Sequence, residues 1–95
     1  MPLTILDDSG GAIKVTGTTD AKAKITDGLI DIISVYWYNP TNDGQLCNLT
    51  GKNDEPIITM RCEADGISQQ WPIGMVIQGI YCDDMDSGTL FIMRR

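Results

Sequence analysis

The chain has 95 residues, 42% of them hydrophobic and 21% charged, which excludes disordered, collagen-like and fibrous classes and predicts one domain, residues 1–95, with a modest core. Seven basic against thirteen acidic residues give a net charge of −6, the wrong sign for neutralising phosphates, so no nucleic-acid partner is expected. No apolar run approaches the roughly 18 residues of a membrane span, and the opening MPLTILDD has no basic segment ahead of a long apolar one; a soluble, unexported chain without a membrane partner is expected.

Turn residues recur along the chain: DDSGG at 7–11, TGTTD at 16–20, TDG at 26–28, NPTNDG at 39–44, TGKNDEP at 50–56, ADG at 64–66 and DDMDSG at 83–88. Between them lie LTIL, AIKV, AKAKI, LIDIISVYWY, QLCNL, IITMRC, GMVIQGIYC and TLFIM, rich in β-branched and aromatic residues that suit a pleated surface. The fold class predicted is all-β, a small antiparallel β-sandwich or jelly roll of about eight short strands.

Within 29–38, Leu29, Ile33 and Trp37 have helical spacing, but Ile30, Ile32, Ile33 and Val35 are β-branched and favour a strand. The doubled Ile32–Ile33 breaks alternation, predicting a β-bulge or burial on both faces, with Ile30 and Ile32 opposite Ile33, Val35 and Trp37. In 57–63, Ile58, Met60 and Cys62 oppose Ile57, Thr59 and Arg61; in 75–82, Met75, Ile77 and Tyr81 oppose Val76, Ile80 and Cys82. A sandwich strand needs one apolar face, so the surplus predicts a second buried surface, another protein. The competing reading is that scattered exposed apolar residues are ordinary.

Cys47, Cys62 and Cys82 lie fifteen and twenty positions apart in a chain without histidine, which does not match the close ligand pairs of structural zinc; free, buried thiols are predicted. In the stretch GIYCDDMDSGTLFI, Asp84, Asp86 and Gly88 resemble the start of a calcium loop, but Arg95 stands where the twelfth-position carboxylate belongs. A β-hairpin turn from Asp83 to Gly88, joining the last two strands, is predicted instead, and no metal. Without histidine no Ser-His-Asp or Cys-His arrangement is possible, and neither GxSxG nor a phosphate-binding loop occurs. Asp31, Glu63 and Asp65 are the carboxylates whose convergence would allow hydrolysis; no catalytic residue and no cofactor is predicted. NLT at 48–50 matches a glycosylation acceptor but falls in or beside a predicted strand. Arg94 and Arg95 predict a solvated tail or a contact to an acidic neighbour.

Among the aromatics, Trp37 alternates with Tyr36 and Tyr38, so it faces opposite to both and is assigned to the core. Tyr36, Tyr38 and Trp71 are the candidate protein–protein interface, Trp71 because its flank SQQWPIG reads as a loop.

The succession VYWYNPTNDGQLCNL, IITMRCEADG, QQWPIG and GIYCDDMDSGTLFI resembles that of small all-β structural proteins of tailed bacteriophage virions. The resemblance spans roughly residues 29 to 92 and carries Trp37, Gly79, Ser87 and Gly88, but no active residues. It implies a non-enzymatic capsid decoration or cement protein, assembled in the host cytoplasm into the virion, self-associating in repeated copies such as trimers and touching the major capsid protein or other virion proteins. A tail, collar or head-fibre subunit is the alternative seat. The alternative from another class is a carbohydrate-binding β-sandwich, for which Trp71, Tyr36 and Tyr38 would have to form one exposed, coplanar platform.

Overall fold

The computed structural model describes residues 2–8 and 11–95; Ser9 and Gly10 of the predicted 7–11 turn lie outside the described residues. Seven strands form: β1 (Thr4–Asp8), β2 (Ala12–Thr16), β3 (Ala23–Tyr38), β4 (Leu46–Thr50), β5 (Pro56–Arg61), β6 (Gln69–Met85) and β7 (Thr89–Arg94). All pair antiparallel, in the order β1-β2-β7-β3-β6-β4-β5. The fold is therefore all-β and antiparallel, as the sequence predicts, with seven strands rather than eight. AKAKI and LIDIISVYWY fuse into β3, because TDG at 26–28 does not reverse the chain. The strand slips register there and keeps its partner, with Thr26 opposite Ile80 and Leu29 opposite Gln78. The Gln78 side-chain amide donates to Asp27 O at 2.6 Å, supplying a bond at the irregularity.

In a flat sheet of this order β2 and β5 would lie five strand spacings apart, roughly 24 Å. Yet Ile13 and Val15 of β2 share one buried cluster with Leu49 of β4 and Met60 of β5. One face of a sheet stays that dry only if something covers it, and the cover is the sheet's own other half. β3 and β6, at 16 and 17 residues, about three times the usual strand length, run through both layers. Residues 29–37 of β3 pair with 69–78 of β6 in the layer of β7, β2 and β1; residues 23–26 pair with 80–82 in the layer of β4 and β5.

Two irregularities let these long strands feed a single core. The register slips between Ile32 and Ser34 on both sides of β3, so Ile33 is pushed out, 42% exposed, while Ile30, Ile32, Val35 and Trp37 all face inward. The predicted bulge is present, and it corrects the predicted division of these residues between two faces. In β6 the same reset occurs at Gly79. Its φ is +80°, and a Cβ there would lie 3.2 Å from Thr26 O, so the position suits glycine. Ile77 and Ile80, three apart, are consequently both buried. Much of the apolar surplus is thus absorbed internally.

The link from β6 to β7 also differs from expectation. The strand runs on to Met85, leaving Asp86 to Gly88 as the turn, and β7 pairs with β3 and β2 rather than β6. The turn is an arch from one layer to the other, tied to its neighbours by hydrogen bonds. Leu46 N donates to Asp86 Oδ2 at 2.8 Å and Asp86 N to Leu46 O at 3.1 Å; Thr41 N donates to Ser87 Oγ at 2.9 Å. Trp37, fully buried, donates its Nε1–H to Ser87 O at 2.8 Å. Gly88 has φ +81°, and a Cβ there would meet Tyr38 O at 2.8 Å and Trp37 Nε1 at 2.9 Å. Left-handed strain and a backbone clash together predict that Gly88→Ala costs about 2–4 kcal/mol in urea unfolding. A loss under about 1 kcal/mol would show that the arch can relax.

Candidate functional site

Partners across an antiparallel ladder share a face, so the registers define rows. One row runs Leu6, Lys14, Phe91, Tyr36, Gln70 across β1, β2, β7, β3 and β6. The next outward row includes Ala12, Met93, Ser34 and Pro72, and Tyr38 stands beside Tyr36 opposite Thr89. This outer face is largely aromatic and aliphatic. Leu6 and Tyr38 are 58% and 50% exposed; Tyr36 stacks on Phe91 with centroids 6.1 Å apart and lies 5.9 Å from Tyr38 at a 48° tilt. Lys14 is the one charged side chain among these named residues, in a chain of net charge −6.

Trp71 departs from the predicted site in two ways. It lies within β6, not in a loop, because Gln69 and Gln70 pair with Trp37 and Tyr36, and Pro72 is tolerated where β6 has one sheet neighbour. It also shares a row with Val35, Ile92 and Ile13, on the inward side of the sheet. There it is 48% exposed at the sandwich margin, its Nε1–H donating to Gln69 Oε1 at 3.0 Å. The structure therefore brings Tyr36 and Tyr38 together and leaves Trp71 on the opposite face; the three form no common platform. Phe91 and Leu6 complete the outer face and were missed in sequence. The alternation of Phe91 with Leu90 and Ile92 is the signal that would have found the first.

A second cluster lies where β4 and β6 meet the arch. Pro2, Thr18, Thr19, Asp20, Met85 and Asp86 line an open cleft of about 500 Å³, tied shut at one side by the backbone bridge between Thr19 and Met85. Beside it Asp84 Oδ1 is buried without a partner. Loss of hydration, then the hydrogen bond to the Asp86 carboxyl, then the charges of Asp86 and Asp20 push the Asp84 carboxyl up to about 6. Among the described residues no three His, Cys, Asp or Glu side chains are grouped to hold a metal ion.

The carboxylates singled out for hydrolysis do not converge. Asp31 pairs with Arg95, Nε to Oδ2 at 3.6 Å, the acidic contact anticipated for that arginine. Glu63 pairs with Arg61 at 3.3 Å and Asp65 accepts from Asp43 N at 2.7 Å. Asp65 belongs to the loop that meets Pro40 through Gly66 N, beyond the end of β3 at Tyr38 and so about seven residues of strand, roughly 23 Å, from Asp31. Asn48 of the NLT match sits inside β4, paired on both sides, and accepts from Thr59. Cys47, Cys62 and Cys82 are free and buried, as predicted.

No protein-family model matches the chain, and no curated protein matches it in sequence. Among solved structures it is similar to an RmlC-like cupin protein from Desulfovibrio desulfuricans, at 10% identity and a TM-score of 0.43, over 98% of this chain and 79% of that one. A likeness of that size carries no argument about chemistry.

Asp84 makes stability depend on pH in a defined direction. Its folded value near 6 exceeds the ordinary 3.8, so its contribution is fully present below about 3.8 and is lost as pH rises through about 6. Thermal melts are expected to show this group contributing more stability at pH 4 than at pH 7.5. Asp84→Asn is expected to remove that difference and to raise stability at pH 7.5. Identical pH dependence in the two proteins would contradict the assignment.

Proposed function

We propose that this protein is a non-enzymatic structural subunit of a tailed-phage virion, of the capsid decoration or cement kind, acting in repeated copies through the outer face of β3 and β7. The observation that carries the reading is the outer face on which Leu6 and Tyr38 are exposed and Phe91 and Tyr36, half-buried, stand between them. A sheet face turned to solvent ordinarily carries polar side chains. Here it carries aromatics with polar tips, the residue types enriched at interface centres. Lys14 is the one charge among the described side chains of these rows, which supports contact with further copies of an acidic chain that elsewhere would repel one another. The virion seat comes from the resemblance of residues 29 to 92; the contact face comes from the registers. Partners on this reading are copies of the chain and the major capsid protein.

Sedimentation velocity of the purified protein should show concentration-dependent association into trimers or larger species. Tyr38→Ala, at a half-exposed position, should weaken that association about thirtyfold, the equivalent of some 2 kcal/mol for a central aromatic, without changing the melting temperature. Trp71→Ala, on the opposite face, should leave association unchanged. Mass spectrometry of purified virions from the encoding phage tests the seat. A monomer at all concentrations, together with absence from virions, would remove both parts of the proposal.

A further inference from the structure

Three aspartates stand directly before glycine: Asp27, Asp43 and Asp65. At such a pair the main-chain nitrogen reaches the aspartate carboxyl most readily, because glycine puts no side chain in the way. Gly28, Gly44 and Gly66 are all exposed, so access does not separate the pairs; hydrogen bonding does. Gly44 N donates to Cys62 O at 2.7 Å and Gly66 N to Pro40 O at 2.8 Å. Asp65 Oδ1 accepts from Asp43 N at 2.7 Å, and Arg61 Nη1 lies 3.7 Å from Asp43 Oδ1. Asp27 and Gly28 fall instead in the register gap of β3, two residues opposite the single Gly79 and neither with a ladder partner. Gly28 N reaches Thr26 Oγ1 at a long 3.4 Å, and Asp27 Oδ2 has Lys24 Nζ at 3.8 Å, both side chains more than half exposed. The short contact is on the carbonyl of the Asp27–Gly28 peptide itself, where Gln78 Nε2 donates to Asp27 O at 2.6 Å.

We infer that Asp27–Gly28 is a site of aspartate isomerisation, at which the folded chain converts to an isoaspartyl form with the help of the Gln78 amide, while Asp43–Gly44 and Asp65–Gly66 stay intact. Gly28 nitrogen attacks Cγ of the protonated Asp27 carboxyl; the N–C bond forms, and the amide proton leaves with the carboxyl hydroxyl as water. As the nitrogen gives up its proton, negative charge gathers on Asp27 O, where the Gln78 donor already stands. Water then adds to the former backbone carbonyl carbon of Asp27 in the five-membered imide. The bond from that carbon to Gly28 nitrogen breaks, and the chain continues through Cγ. One water is lost, one is regained, and no electron moves. The product has one more main-chain carbon at the point where β3 passes between the layers. The gap already holds a surplus residue there, so Ile25 and Ile30, buried on either side, keep their places.

The test holds the intact chain folded for several weeks at about pH 6, where an aspartate carboxyl is protonated part of the time, then digests it with trypsin and chymotrypsin so that the three aspartates fall on separate peptides. Aspartyl and isoaspartyl peptides have equal mass and separate by retention time. Methyl transfer from S-adenosylmethionine by an isoaspartyl methyltransferase counts the second form. Conversion at Asp27 is expected to run at least about tenfold ahead of Asp43 and Asp65, whereas in urea all three should convert at comparable rates. Gln78→Met, at an exposed position, should slow Asp27 about tenfold and leave the other two rates and the melting temperature unchanged. Conversion led by Asp43 or Asp65 in the folded chain, the same lead for Asp27 in urea, or an unaltered Asp27 rate in Gln78→Met would each overturn the inference.

Discussion

The hydrogen bond from the Trp37 indole to Ser87 O holds the two layers in place. A buried indole N–H without a partner is costly, and the one acceptor it has lies in the arch that carries the chain from β6 to β7. The arch is itself specified by neighbours that leave little choice. Ser87 Oγ takes the Thr41 N–H, Asp86 takes the Leu46 N–H, and Gly88 has no room for a side chain. Residues that looked like the beginning of a cation site are spent on joining strand ends. Among the described residues Thr50 is the one polar residue buried with the apolar core.

Much of this was legible in the residues and some was not, for reasons that can be named. Strand periodicity placed Trp37 inward and Tyr36 and Tyr38 outward, and the doubled isoleucine marked the bulge. Three cysteines without a pairing pattern and without histidine marked buried free thiols. What periodicity could not supply was the phase after an irregularity. A one-residue slip reverses every later side chain, so Ile33 and Val35, assigned to one face, lie on opposite ones, while at Gly79 the converse holds and Ile77 and Ile80, assigned to opposite faces, are both buried. Nor could the turn chemistry of Asp86, Ser87 and Gly88 distinguish a hairpin from an arch, since both demand a positive φ. Only tertiary pairing decides that β7 enters between β2 and β3. Trp71 was misplaced because Gln-Gln and Pro read locally as loop, whereas the edge of β6 accommodates them.

The outer aromatic row follows from the same architecture. With one layer covering the other, each sheet has a face that the chain cannot bury on its own, and β7 and β3 place Phe91 and Tyr36 side by side on it. The opposite layer, where β4 meets the second half of β6, buries Cys47 and Cys82 and sets Asp84 beside Asp86. One end of the sandwich thus concentrates thiols and carboxyls, and one face concentrates rings. Neither grouping is visible as a motif, because each is made by cross-strand neighbours far apart in the chain.

The position of β7 has a consequence for how the molecule is made. The β1–β2 hairpin joins the sheet through β7, with Ile13 opposite Ile92, 79 residues later. On a ribosome the earlier hairpin waits, its apolar edge unpaired, until the residues between Ile13 and Ile92 have been synthesised. Loop closure over such a span is entropically demanding, and topologies dominated by distant pairings fold slowly. The seam between the first strands and the last is therefore the final one to close, and the apolar side chains of Ile13 and Val15 are the part of the core longest exposed to chaperones and to neighbouring chains.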